Sequence, residues 1–278
     1  MTAKAGGASF GRDFELTLVT NDPSLAQAAD RAGLARIGLD LERLGKSGRQ
    51  DGGRNRLSDH LWEDLARIAG AVSAAKVFVR VDPLNPDSAQ DVSRAVDAGA
   101  QVIMLPFFRS VQEASRFLEL VDGRLHVSLL VETGAALAGI AAIAALAGVG
   151  DIMFGLNDLR LDLKMDNHFE ILTSPLLDAA AKEVLVRGHR LSIGGVARAD
   201  QSDLPIQSEL VYAQYPRLGA TGAWLSRSFV RPGPDGVDRL AEDIERLRAR
   251  LDDWGGRPAE ALEEARARLT ERASGLRL

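Results

Sequence analysis

Eight apolar runs of strand length alternate with segments of helical period along this chain. That alternation builds a parallel sheet covered by helices. Strands are expected at 14–20, 35–42, 76–82, 100–106, 126–132, 151–155, 190–195 and 222–229. Helices are expected near 23–32, 59–73, 87–98, 110–121, 135–147, 168–187, 202–217 and 236–252. Helix-start chemistry marks two joints, Ser58 before Asp59 and Ser110 with Glu113 three residues on. With 278 residues, 46% hydrophobic and 26% charged, the chain can bury a large core and lies within the range of a single α/β barrel.

The organisation that follows is a loose N-terminal leader over 1–12, a barrel core over 13–231 and C-terminal helices over 232–278. The first of those helices completes the barrel and carries an apolar stripe of Leu240, Ile244, Leu247 and Leu251. The second, Pro258 to Arg272, is highly charged, with Leu262 and Leu269 as a sparser stripe. An isolated barrel does not require it, so it is a candidate contact with a neighbouring subunit or a solvated terminal helix.

There is no cysteine, which excludes disulfides and thiolate-bound zinc or iron–sulfur sites. Any metal must be held by oxygen or nitrogen, and carboxylates favour magnesium or manganese. A net charge of −5 argues against a nucleic-acid surface, which needs a basic footprint. A small anionic substrate is expected instead. The longest low-charge stretch, Thr133 to Gly150, is rich in Ala and Gly and reads as a packed helix rather than a membrane span, so a soluble cytoplasmic protein is expected.

Two carboxylates stand at the ends of apolar strands: Glu132 after Leu129-Leu130-Val131, and Asp158 after Ile152-Met153-Phe154-Gly155. In a parallel barrel those ends open onto the face where active sites form, and two acids there can share one divalent cation. Arg80 ends the strand Val77-Phe78-Val79. A guanidinium in that position either meets an anion, for which its planar fork suits a 2-oxo acid carboxylate, or pairs with Asp82 or another barrel carboxylate. Asp40 and Glu42 fall on one side of the second strand, where they orient a metal-bound water or an arginine, or pair with Lys46, Arg54 or Arg56. The glycine-rich loop from Arg43 to Leu57 brings Arg43 and Lys46 to the same mouth as candidate substrate ligands. The four histidines form no metal-ligand pair by spacing. His126 and His189 sit at strand starts and read as structural, and His60 reads as a surface residue near the mouth.

Taken in order, these segments resemble the HpcH/HpaI aldolase and citrate lyase β-subunit family of pyruvate and phosphoenolpyruvate barrels. The resemblance runs from about Leu16 to Phe229 and rests on Asp40-Leu41-Glu42, Val79-Arg80-Val81, Ala98-Gly99-Ala100 with Leu105-Pro106, Val131-Glu132-Thr133, and Phe154-Gly155-Leu156-Asn157-Asp158-Leu159. It implies a (β/α)8 TIM barrel and a metal-dependent carbon–carbon lyase or aldolase working through the enolate of a pyruvate-like 2-oxo acid. Magnesium or manganese would sit at Glu132 and Asp158. Arg80, Asp40 and Glu42 would be catalytic, with Gly155 lining the substrate site, and the chain would form a homo-oligomer. Arg43 stands where the aldolase branch has an acid–base histidine. The alternatives are a citrate-lyase-like enzyme using an acyl-CoA, a phosphoenolpyruvate-using enzyme, or a non-catalytic barrel kept as a binding subunit.

Overall fold

The computed structural model describes residues 9–45, 58–233 and 235–278. Its centre is a closed parallel barrel in which each strand pairs with the next and β1 closes on β8. The strands are β1 (Glu15–Val19), β2 (Arg36–Asp40), β3 (Lys76–Arg80), β4 (Val102–Leu105), β5 (His126–Val131), β6 (Val149–Phe154), β7 (Arg190–Ile193) and β8 (Gly222–Trp224). The expected (β/α)8 TIM barrel with additional C-terminal helices is what the chain forms.

The outer layer begins with α1 (Pro23–Arg31), α2 (Trp62–Ala71), α3 (Ser88–Asp97) and α4 (Val111–Val121). Ser110 caps α4 as its spacing predicts, accepting from the Glu113 amide at 3.2 Å. Ser58 does not cap α2. That helix starts at Trp62, and its cap bond is made by Asp64, which accepts from the Leu61 amide at 2.9 Å.

Three expected helices are each two shorter ones, and local chemistry shows where they break. The first divides at Gly139 into α5 (Gly134–Ala138) and α6 (Ile140–Ile143). Between them and the next pair lies α7 (Leu156–Asp162), which strand–helix alternation does not anticipate. Pro175, which cannot donate an amide, separates α8 (His168–Leu172) from α9 (Pro175–Val186), and Ser174 caps the new start. The third pair is α10 (Ser208–Tyr212) and α11 (Gln214–Leu218). A short α12 (Asp235–Asp238) precedes α13 (Leu240–Gly255) and α14 (Ala259–Ala273).

Both C-terminal stripes are buried within the chain. Leu240, Ile244, Leu247 and Leu251 of α13 face α1 and α10, while Leu262 and Leu269 of α14 face α8, α10 and α11. The apolar side of α14 therefore covers its own barrel. No described helix is long and apolar enough to cross a membrane.

Strand alternation sorts the inward side chains into three layers. Arg36, Ser128 and Asp151 lie towards the strand starts. Phe78, Val102, Met104, Leu130 and Met153 form a buried apolar cluster above them. Two residues further along their strands come Arg80, Glu132 and Gly155. In the lowest layer Asp151 accepts from Arg36 at 2.5 Å and from Ser128 at 2.5 Å, and its Oδ2 lies 2.6 Å from His126 Nε2. Arg36 also reaches Glu15 at 3.2 Å, and Glu15 pairs with Arg190. His126 thus has the structural place expected of it, as does His189, whose ring meets the Ala144 carbonyl at 2.7 Å.

Candidate active site

The mouth of the barrel is organised around Arg80. Strand register sets Asp40 directly opposite it on β2, and Asp40 takes the fork with both oxygens, from Nε at 2.8 Å and from NH2 at 2.7 Å. Gly38 makes this approach possible, because a Cβ there would fall 1.6 Å from the Phe78 carbonyl oxygen. The remaining nitrogen, NH1, lies 3.3 Å from Glu42 and 3.7 Å from Glu132. All four side chains are buried, Arg80 being 8% exposed and Glu132 3%.

Burial alone would drive Arg80 towards neutrality. The charges of Asp40, Glu42 and Glu132, with the bond to Asp40, outweigh it and hold the guanidinium charged, its pKa above the usual arginine range. Asp40 and Glu42 thus do face one way, towards Arg80. Trp224 supplies a floor the sequence reading missed, its ring 4.9 Å beneath the guanidinium carbon and edge-on to Phe78.

Glu132 is positioned by the backbone. Its Oε2 accepts from the Phe107 amide at 3.2 Å, and Phe107 adopts φ 49°, a conformation unusual for a bulky residue. No residue-type signal marks Phe107 in the sequence. On the other side, Gly155 leaves the carboxylate room that a Cβ would fill, since that atom would lie 2.8 Å from Glu132 Oε1. Asp158 sits three residues further on, partly buried in the first turn of α7 rather than at the strand end.

The basic loop divides. Arg43 is exposed; its amide donates to Asp82 at 2.6 Å and its guanidinium to the His60 carbonyl at 2.9 Å. Lys46, with Arg49, Arg54 and Arg56, lies outside the described residues. His60 is buried rather than superficial, because its Nδ1 accepts from the Asp40 amide at 3.1 Å and so supports the strand that carries Asp40.

A cleft of about 330 Å³ opens over these groups, bounded by Arg80, Glu132, Gly155, Asn157, His168 and Trp224, with Leu130 and Met153 at its base. Burial, and secondly the nearby Arg160, push His168 down to about 4, so its imidazole is neutral at physiological pH. His168 and Asn157 also went unrecognised in the sequence, where a lone histidine after a charged stretch carries no pattern.

The sequence model for HpcH/HpaI aldolase/citrate lyase matches residues 16–193, well over half of the chain and most of its site-bearing strands. The chain belongs to the HpcH/HpaI aldolase/citrate lyase family. Membership supports a carbon–carbon lyase kind of function. An HpcH/HpaI aldolase from Desulfitobacterium hafniense DCB-2 has a similar structure, with 17% identity, TM-score 0.56, and coverage of 78% of this chain and 86% of that one. An HpcH/HpaI aldolase/citrate lyase family protein from Burkholderia cenocepacia J2315 gives 17% identity and TM-score 0.58, over 87% of this chain and 95% of that one. The citrate synthase SbnG gives 15% and 0.58, over 78% and 88%. At such identities the likeness is one of fold. No curated protein matches the sequence directly.

Proposed function

We propose that this family member makes or breaks a carbon–carbon bond through the enolate of a pyruvate-like 2-oxo acid. The observation that carries the reading is the arrangement at the mouth. Asp40 fixes the Arg80 fork on one edge, and NH1 extends towards Glu132 in the wall of an open cleft. A substrate carboxylate or enolate oxygen entering that cleft would meet a cation whose orientation is already set, which is how preorganised donors favour developing negative charge. Asp40 and Glu42 act through Arg80, keeping it charged and in place. His168, neutral in the same wall, is the side chain able to take or return a proton there.

The residues fit a hard divalent cation. The space beside Glu132 Oε1 exists because Gly155 has no side chain, and the donors are carboxylate oxygens. Among the described residues no three acidic or imidazole side chains converge as a complete cage, so magnesium or manganese at Glu132 and Asp158 would take its other ligands from water and substrate. Such an ion would polarise the oxo group of the substrate.

Titrating manganese into the protein and following the paramagnetic relaxation of water tests this directly. Glu132→Ala and Asp158→Ala should each weaken binding at least tenfold. Retention of wild-type affinity by both variants would remove the metal from the proposal. Supplying pyruvate with an aldehyde, a CoA thioester or phosphoenolpyruvate in separate assays identifies the reacting partner.

A soluble, cytoplasmic homo-oligomer is part of the same proposal, the first two resting on the lack of a membrane-length apolar run in the sequence and the oligomer on the family resemblance. Light scattering of the full chain should give a multiple of 29.8 kDa. A chain ending at Gly256 should assemble into fewer copies, and an unchanged number of copies would place the interface elsewhere than α14.

A further inference from the structure

Beside the Arg80 cleft lies a second cavity, of about 240 Å³, between the ends of β7 and β8 and the helices α8, α10 and α11. The two share Leu156, His168, Gly194 and Gly195 as a common wall, so they are adjoining compartments. Leu172, Ile193, Ile206 and Val211 make the second one apolar. Among the described residues no aspartate, glutamate, lysine or arginine lines it. Of its polar side chains, Tyr212 donates to the Ala197 carbonyl at 2.6 Å and Ser208 to the Arg198 carbonyl at 2.9 Å. Ser228 lies 3.2 Å from Ser226 and donates to Gln201, and the buried Tyr215 hydroxyl has no hydrogen-bond partner among the described residues. Among the described residues this wall offers an ion no oppositely charged side chain, so a charged group entering it would lose hydration for at most a few neutral hydrogen bonds.

Size narrows the occupant. A cavity of about 150 Å³ lined by aliphatic and aromatic side chains holds benzene. The larger volume here accommodates a ring with a short substituent.

We infer that the second substrate is an aldehyde bearing an uncharged apolar group about the size of one benzene ring, seated in this cavity with its carbonyl in the Arg80 cleft. This rests on the aldol reading given above. In the condensing direction the methyl carbon of the 2-oxo acid loses a proton and bonds to the aldehyde carbon, and the aldehyde oxygen takes up a proton. The cleaving direction reverses these changes, and no oxidant or reductant is needed. Charged acceptors such as aldehydes carrying a carboxylate would be excluded by the same wall.

The test separates binding from chemistry. Binding of 4-fluorobenzyl alcohol, which cannot react, is followed by fluorine NMR in the full chain, in Val211→Trp and in Ile206→Phe. Circular dichroism and oxalate affinity report whether each variant has kept its fold and its Arg80 cleft. At least one folded variant should weaken the probe tenfold or more. The wild-type ratio of kcat/KM for benzaldehyde over acetaldehyde, with pyruvate, should exceed ten and fall at least tenfold in that variant. Absence of probe binding, or binding that neither folded variant alters, overturns the assignment of the cavity whatever the enzyme turns over. Probe binding lost in a variant, with no aldehyde consumed, keeps the apolar site and overturns the aldol reading beneath its substrate role. Preference for acetaldehyde over benzaldehyde despite probe binding overturns the substrate assignment alone.

Discussion

Arg80→Ala is expected to lower affinity for oxalate, a mimic of the pyruvate enolate, and to cut kcat/KM by about 100- to 1,000-fold, the usual effect of removing one preorganised donor to a developing oxyanion. The same substitution costs stability, because Asp40, Glu42 and Glu132 are gathered around this guanidinium in a buried site. Breaking a buried ion pair from one side costs about 3–5 kcal/mol. Arg80→Lys recovers little of either quantity, since one ammonium cannot engage both Asp40 oxygens and also extend towards Glu132. Urea unfolding and oxalate calorimetry on the two variants measure these effects separately. An alanine variant with undiminished oxalate affinity would reduce Arg80 to a structural residue. One with wild-type stability would show that the three carboxylates do not depend on it.

At the opposite end of the barrel, Asp151→Asn is expected to destabilise the fold by about 3–5 kcal/mol, because it strips Arg36 of its tightest buried partner. The pH dependence follows from the depressed carboxyl. Burial would raise its pKa, but the His126 bond, the charge and bond of Arg36 and the Ser128 bond outweigh that and lower it from 3.8 to about 2. A carboxyl that is more acidic in the folded state stabilises the protein above its unfolded pKa. That contribution, about 2 kcal/mol, is lost as pH falls from about 4 towards 2. Thermal melts between pH 2 and pH 7 should therefore show a steeper acid loss for the wild type than for Asp151→Asn. Parallel curves would mean that Asp151 titrates alike in both states.

How far the sequence disclosed all this depends on whether a feature is periodic. Each of the eight strands is found where an apolar run marks it, because burial on both faces leaves a continuous hydrophobic signature. The split helices were less visible: Gly139 and Pro175 are present in the sequence, but where a helix restarts is settled by packing against the barrel. Alternation put Asp40 and Glu42 on one side of β2. That Arg80 is their shared partner follows from the β2–β3 register, which no local pattern encodes. Phe107, Trp224 and His168 escaped notice for a related reason. Each joins the site through strand order, backbone conformation or helix placement rather than through residue type at a revealing spacing.

The apolar layer of Phe78, Val102, Met104, Leu130 and Met153 acts as an insulator along the barrel axis. Ser128 and Glu132 are four residues apart on one chain segment, so the ionic clusters at the two ends are separated by about 13 Å of weakly polarisable material. At that separation the free-energy effects of substitutions in the two clusters should sum. Acid tolerance can consequently drift through changes around Asp151 while the charge state at Arg80 stays fixed.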